Sequence, residues 1–509
     1  MRPRAALAVV IACLAAYQSR PRERLAAFAE PVTLPDDTTL AAEVHEALVK
    51  HQREQADRAL DARDPGELLE HATVSQVALD RGVMTNDDLL VLGDDMFAYQ
   101  FRPENGLGNG LGRALGGARP APNLHRVTTG EFGGPEAMAC ADCHSVGGDD
   151  GAGSLTQGVF GRGDGDRTTS GDLRSAPSVL GLGPIQRLAE ELTASLAAAR
   201  AAAVTRARTT NQPVTIHLVA KGLGFGALTA SPDGTVDSHA ITGVAPDLVI
   251  RPFGWKGHQA TLRAMVREAF RIHLGMLAMV DQEGVRDGRL PAAMFGDGPW
   301  YDADRDGVTI EVEDGMVTAL VAYLSQLEVP IVRPPDEPTL RARFSRGEQT
   351  FTALGCAGCH VPSLPLDDPR LTTAPEELAH AGGRAITIDV AHDGNAPKIA
   401  AAGHGYAVAL FSDLRRHDLG DELAAPRVQP AEGGDIPARV WLTRPLWGLA
   451  DSAPYLHDGR APTIDAAIRA HGGEAAAARA AYLAAPTPTR GDLAVFLLSL
   501  ARTPHLVAP

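Results

Sequence analysis

The chain is poor in cysteine, in aromatic side chains and in long apolar runs. Five cysteines in 509 residues are too few to staple a scaffold of this size with disulfides. Aromatics make up 5%, so Leu, Val and Ala must fill the interior, with room for a bound apolar group to contribute. Basic residues never gather into a stripe with aromatics. The 47 Lys and Arg stand against 63 Asp and Glu, a net charge of −16, which excludes nucleic acid as a partner because phosphate binding needs clustered cations. No apolar run reaches the roughly 20 residues that span a bilayer. What is present is ordinary for a folded protein, 44% hydrophobic and 22% charged, with length for roughly three domains.

Arg2 and Arg4 precede an apolar run over residues 5–16, which reads as an export signal over residues 1–12. Val10-Ile11-Ala12-Cys13 resembles the bacterial lipoprotein cleavage box, with Cys13 as the lipidated first residue of the mature chain. The alternative is that Cys13 is simply one more apolar position. The expected location is the periplasm, with a lipid tether at Cys13.

The other four cysteines form one pattern twice: Cys140-Ala141-Asp142-Cys143-His144 and Cys356-Ala357-Gly358-Cys359-His360. At this composition a single CxxCH arises by chance on the order of once in several hundred sequences, so two are not accidental. Thiols three residues apart can add to the two vinyl groups of one haem, and the next residue places an imidazole under the iron. The expected cofactors are therefore two covalent haem c groups, attached through Cys140, Cys143, Cys356 and Cys359, with His144 and His360 as proximal ligands. A zinc site would need two knuckles to meet across more than 200 residues and leaves each histidine unexplained. A redox dithiol is expected once, beside a βαβ pattern that is missing here.

Pro334-Pro335-Asp336-Glu337-Pro338 is the clearest linker. It separates an N-terminal haem domain (95–335) from a C-terminal one (340–502), after a helical extension over 13–94 that includes a polar surface helix at 39–61. Residues 106–122 read as a Gly- and Pro-rich loop, and 188–208 as an Ala-rich helix. Alternation at Val214, Ile216 and Leu218, with the turn Ser231-Pro232-Asp233-Gly234, predicts an antiparallel hairpin insertion between Val214 and Ile241.

Several runs resemble a known group. Trp447-Gly448-Leu449-Ala450-Asp451-Ser452-Ala453-Pro454-Tyr455-Leu456-His457-Asp458-Gly459-Arg460 looks like the C-terminal signature of bacterial di-haem cytochrome c peroxidases and the methylamine-utilisation di-haem enzymes. Phe253-Gly254-Trp255-Lys256-Gly257, Ser412-Asp413-Leu414 with His417-Asp418-Leu419-Gly420, and His471-Gly472-Gly473-Glu474 resemble the related di-haem oxidoreductase family. The resemblance covers about 95–502. It implies a mainly α fold of two cytochrome c-like domains, with haems on either side of an interface.

The same resemblance guides the distal ligands. Ile464, Ala467, Ile468 and His471 share a helical face, and His471 stands fourteen residues after His457, where the peroxidases usually carry a Met ligand. The expectation is a bis-histidine haem, His360 with His471. In a helix over 261–276, Val266, Ala269, Phe270 and His273 share one face, which makes His273 the first choice for sixth ligand or proton-handling group and His258 the second. The peroxidases' catalytic Gln and Glu align with Met265 and Gly275, which can do neither job. Trp255 aligns with the tryptophan that relays electrons between the haems. His417 and His457 are expected to orient propionates or the interface.

Asp302, Asp304, Asp306, Gly307 and Glu313 match an EF-hand loop, with Val308 supplying a carbonyl and a helix over 316–327 following, so calcium is a further expected cofactor. A solvated acidic turn is the alternative. The resulting expectation is an exported peroxidase-like oxidoreductase. Electrons from a small cytochrome c or cupredoxin-type donor would enter at the C-terminal haem and pass to peroxide or another small oxidant at the N-terminal haem. A non-catalytic di-haem electron carrier and an oxidase of a protein side chain remain open alternatives.

Overall fold

The computed structural model describes residues 76–80, 84–108, 136–153, 171–288, 311–373 and 385–502, with the short pieces 32–33, 159–161, 308 and 506–507. Cys13, the 39–61 stretch, most of the 106–122 loop, and Asp302, Asp304 and Asp306 lie outside them. No helix among the described residues is long and apolar enough to cross a membrane.

The larger core is built round the helix Asp314–Gln326. All of its residues are buried, because it is apolar on nearly every side and packed on several. Helix Asn86–Ala98, started by a Thr85–Asp88 capping box, lies against it. The two backbones approach so closely at Gly93 that a Cβ there would stand 2.3 Å from Tyr323 Cβ and 2.4 Å from the Ala319 carbonyl oxygen. The long helix Leu182–Thr210 is buried through its first half, where Ile185, Leu188, Leu192 and Leu196 recur at helical spacing. Its Ala-rich second half relies more on helix propensity and packs on a three-stranded antiparallel sheet, Val214–Ala220, Leu223–Ala230 and Val236–Asp237. The first two strands meet at Lys221-Gly222, both with positive φ, and Ser231-Pro232-Asp233-Gly234 turns into the third.

The smaller core lies between helices Pro338–Ala353 and Thr487–Leu498. Phe344, Phe351 and Phe496 interleave, and Gly347 would place a Cβ 2.1 Å from the Asp492 carbonyl oxygen. Asp492 also ties the pair electrostatically, accepting from both Arg343 and Arg346.

The mainly α expectation fails. Of the described residues 41% are helix and 17% strand, and the described strands form seven small sheets. Three of them lie wholly after the second CxxCH. There, Pro, Gly and β-branched residues break helical periodicity and leave runs such as Arg370–Thr373 and Ile386–Asp389, which pair antiparallel. One pair matters for the site: Arg416–Asp418 against Val440–Leu442 sets His417 opposite Trp441.

Gly93→Ala tests the helix contact. Alanine improves helix propensity by about 1 kcal/mol, yet the clash should dominate and lower stability by about 1–3 kcal/mol. Urea unfolding reads the sign directly, and a raised midpoint would contradict the packing argument.

Candidate functional site

Both CxxCH segments fold alike. Each forms a single 3-10 turn, Cys140–Asp142 and Cys356–Gly358. In each, the histidine N–H donates to the first cysteine's carbonyl, at 3.2 Å for His144 and 3.0 Å for His360. Each turn lines its own cavity, of about 270 Å³ for the first and about 340 Å³ for the second. Burial pushes the Cys140 thiol up to about 12 and Cys356 up to about 11, so neither is a ready thiolate for zinc or disulfide exchange.

The imidazoles around these cavities share one arrangement. His144 donates through Nδ1 to the Gly151 carbonyl (3.2 Å), His360 to Phe411 (3.0 Å) and His471 to Ala467 (2.7 Å). A carbonyl only accepts, so Nδ1 carries the hydrogen and Nε2 keeps its lone pair, the tautomer that ligates a metal. Burial pulls His144 and His360 down to about 4 and lowers His471 as well, so all three are neutral. His273 follows the pattern with a carboxylate acceptor, Nδ1 to Glu136 Oε2 at 3.1 Å.

His273 belongs to the first cavity, as do Val266, Ala269 and Phe270 from the same periodic face. The expected continuous helix is Leu262–Ala269 followed by a π turn, Phe270–Leu274, which carries His273. The same wall holds a pair that sequence reasoning half missed. His258 Nε2 lies 2.7 Å from Glu268 Oε2, which also accepts from Gln259 Nε2 at 2.8 Å. Burial opposes the charge on Glu268, but His258, Gln259 and Arg271 hold it down to about 2, and His258 Nδ1 is buried without a hydrogen-bond partner. The ten-residue gap to His258 spans a turn and a helix, so spacing gave no cue. Met265 lines this cavity and Gly275 does not.

In the second cavity Ile464, Ala467, Ile468 and His471 line one wall. Their helix, Ile464–Ala470, is capped by Thr463 at its start and by His471 at its end. Phe411, whose carbonyl orients His360, adopts φ 54, and Leu414 and Leu456 are also left-handed. These strained non-glycine positions cluster at the site. His417 is held from both sides, Nδ1 to Glu474 Oε2 (2.8 Å) and Nε2 to Asp413 Oδ2 (2.9 Å). It lies with Asp413 near Cys359 Sγ, but with both nitrogens donating it has no lone pair for a metal. His457 stacks on Trp441 (4.0 Å, 20°), which also carries the Lys256 ammonium 3.9 Å from its ring centroid. That ammonium donates to the carbonyls of Pro437, Ala438 and Val440, although burial and Arg174 pull it down to about 7.

Trp255 and Arg444 line both cavities. The Trp255 indole donates to the Ser175 carbonyl at 2.7 Å, and the Arg444 guanidinium lies 5.5 Å from its ring centroid. Arg444 provides the test of what fits. Burial lowers it to about 10, and among the described residues it forms no ion pair. A desolvated charge without an ion-pair partner is costly. A carboxylate delivered by the bound group, as a haem propionate is, would pair it. With neutral Nε2 lone pairs, apolar walls and this cation, the residues fit haem. Val308 and Glu313, which starts helix Asp314–Gln326, are the described members of the expected calcium loop.

The clamp on His417 has a measurable consequence. Burial disfavours its charge, but hydrogen bonds to Asp413 and Cys359, and then Glu474, raise it to about 10. An ordinary histidine titrates near 6.5, so the stabilisation is complete below that pH and is lost as pH rises through about 10. Unfolding free energies measured across this window should fall in the native chain and stay flatter in His417→Gln; parallel curves would contradict the clamp.

Residues 237–500 match the family model described as "Di-haem oxidoreductase, putative peroxidase". No curated protein matches the chain. Among solved structures, the hydrazine synthase of Kuenenia stuttgartiensis, pressurised with 20 bar xenon, is similar at 19% identity over 36% of this chain, with a TM-score of 0.21. The chain spans 55% of that structure's length, and so slight a likeness bears on neither fold nor activity. The family match covers just over half of the sequence and includes Trp255, His273, the second CxxCH and His471; the chain belongs to the di-haem oxidoreductase family, whose cofactor is haem.

Proposed function

We propose that the protein is an exported c-type di-haem oxidoreductase of the peroxidase kind. Cys140 and Cys143 would hold one haem above His144, and Cys356 and Cys359 the other above His360, with His471 as its sixth ligand. When bound, the haems supply an electron entry point at the C-terminal site and a centre that reduces peroxide at the N-terminal site. Electrons would come from a small cytochrome c or cupredoxin-type donor. Export over residues 1–12 and lipid attachment at Cys13 belong to this reading, because thioether attachment takes place outside the cytoplasm. Calcium on the 302–313 loop is carried by the sequence pattern alone.

The observation that carries the reading is the asymmetry between the cavities. The first contains an acid–base pair, His258 with Glu268, beside the turn that bears His273. In the second, the described carboxylates near the histidines, Asp413 and Glu474, are committed to His417. Cleaving an O–O bond requires a proton moved from one oxygen to the other, and a group within hydrogen-bond reach does this best. His258 donates its Nε2–H to Glu268, which fixes the ring, and would take the proton from one oxygen at Nδ1 and return it to the other from the same atom. Trp255 separates the two cavities and is held by Ser175, so it would carry the coupling between them. Arg444 would anchor propionates from both sides.

One observation favours the carrier reading. His273 has the same tautomer as the other candidate ligands, so it could close the first iron's sixth position. Steady-state turnover of the haem-loaded chain with hydrogen peroxide and a reduced donor decides between them. Glu268→Gln should lower kcat by about 10²–10⁴-fold while leaving the haem absorption unchanged. No turnover by the fully reduced native protein, with only low-spin iron in the electron paramagnetic resonance spectrum of the oxidised protein, would overturn the peroxidase reading in favour of the carrier. Replacing Cys356 and Cys359 by Ser should leave one of two haems on the denatured chain after acid–acetone extraction; retention of both would end the covalent assignment.

A further inference from the structure

Tyr323 stands apart from the residues assigned so far. It lies on the fully buried helix Asp314–Gln326 with 3% of its surface exposed. A buried phenol needs a partner for its hydroxyl, and this one donates to Asp150 Oδ1 at 2.5 Å. Asp150 is buried too and is turned inward by a left-handed backbone, φ 63. Burial raises its carboxyl to about 7, with Tyr323 and Arg502 pulling the other way, so it exchanges a proton near neutrality. The exposed Asp94 also faces the hydroxyl.

On its other side Tyr323 meets an aromatic row. Its ring centroid lies 5.5 Å from that of Phe97, and Phe97 lies 5.8 Å from the His144 imidazole. The loop closes the circuit, because Gly151, next to Asp150, accepts the His144 Nδ1–H. The phenol is therefore joined to the first cavity's proximal histidine by rings on one side and by the backbone of its own hydrogen-bond acceptor on the other.

The two buried tyrosines of the smaller core, Tyr455 and Tyr482, lack this chemistry. Tyr455 donates to a backbone carbonyl, that of Leu449, at 3.0 Å. Tyr482 donates to Asp465, but burial there is outweighed by Arg469 and by Tyr482 itself, which hold that carboxyl low and make it a poor base.

We propose that Tyr323 is a redox-active side chain of the N-terminal site. It gives one electron by way of Phe97 and His144 to the peroxide-oxidised haem, and its proton passes along the hydrogen bond to Asp150. The O–H bond breaks, a neutral phenoxyl radical remains on Tyr323, the haem site gains one reducing equivalent, and Asp150 becomes a neutral acid. Return of an electron from the donor reverses both transfers. Tyr323 thus stores an oxidising equivalent when the donor is slow. The inference rests on reading the first cavity as a peroxide-reacting haem site, and the experiment separates the two.

In the first arm, the oxidised, haem-loaded chain is mixed with one equivalent of hydrogen peroxide and freeze-quenched for electron paramagnetic resonance. In the second, a ruthenium photo-oxidant replaces peroxide. A tyrosyl signal that narrows with ring-deuterated tyrosine is expected in both. Tyr323→Phe, which keeps the ring packed on Phe97, should abolish it, and Asp150→Asn should slow its formation by about 10²-fold or more. A radical that depends on Tyr323 only in the photo-oxidant arm upholds Tyr323 and overturns peroxide as the substrate. A signal unchanged in Tyr323→Phe, or oxidation in both arms without a tyrosyl signal, overturns the proposal.

Discussion

The site depends on a hydrogen bond made by the nitrogen that faces away from it. In His144, His360, His471 and His273 the Nδ1–H is committed to an oxygen that can only accept. That bond selects the tautomer, fixes the ring and leaves Nε2 as a lone pair. Much of the surrounding architecture serves to deliver those oxygens. The loop after the first CxxCH bends back so that Gly151 meets His144. Phe411 accepts a left-handed backbone to reach His360, a strain tolerated where neighbouring packing over-determines it. The helix Ile464–Ala470 ends where His471 can turn back on Ala467.

A second constraint is charge in a protein of net −16. In the walls of the two cavities, by contrast, Lys and Arg outnumber Asp and Glu. Lys256 is held by three carbonyls and a Trp441 ring, and His417 by two carboxylates. Arg444 has a carbonyl at 3.5 Å and the Trp255 ring. Desolvation makes such a guanidinium costly on its own and correspondingly strong toward an anionic partner. The same desolvation produces the opposite effect on Asp150, which it drives toward neutrality beside Tyr323. One environment thus favours an anion at the shared wall and a proton acceptor behind the first cavity.

Parts of this arrangement were legible before any coordinates. The apolar repeat through Val266, Ala269 and Phe270 led to His273, and that through Ile464, Ala467 and Ile468 led to His471, because helical period 3.6 stacks such residues on one side. The same reasoning could not see that the first helix passes into a π turn at Phe270, since that depends on backbone hydrogen bonds rather than on pattern. Glu268, Glu136 and Arg444 were invisible for a different reason. Each is an ordinary charged residue in a sequence full of them, and only burial separates it from its neighbours. The mainly α expectation failed because the short strands after the second CxxCH pair with partners tens of residues away, as Arg416–Asp418 does with Val440–Leu442. Strands of two to four residues carry too little periodicity to be read singly.

What the amino-acid order determined by itself was the chemistry of local spacing: two Cys-x-x-Cys-His units, each able to reach one haem edge and place one imidazole. That information lies within five consecutive residues and survives in the unfolded chain. The tertiary structure alone decided which groups stand around those units, which of them lose water, and therefore which are charged. It placed Trp255 and Arg444 in a common wall and His258 against Glu268, and it put Tyr323 between Asp150 and Phe97. Those relations join residues that are from ten to more than two hundred positions apart, and they exist only after the core has closed, because burial changes what a carboxylate, a guanidinium or a phenol can do.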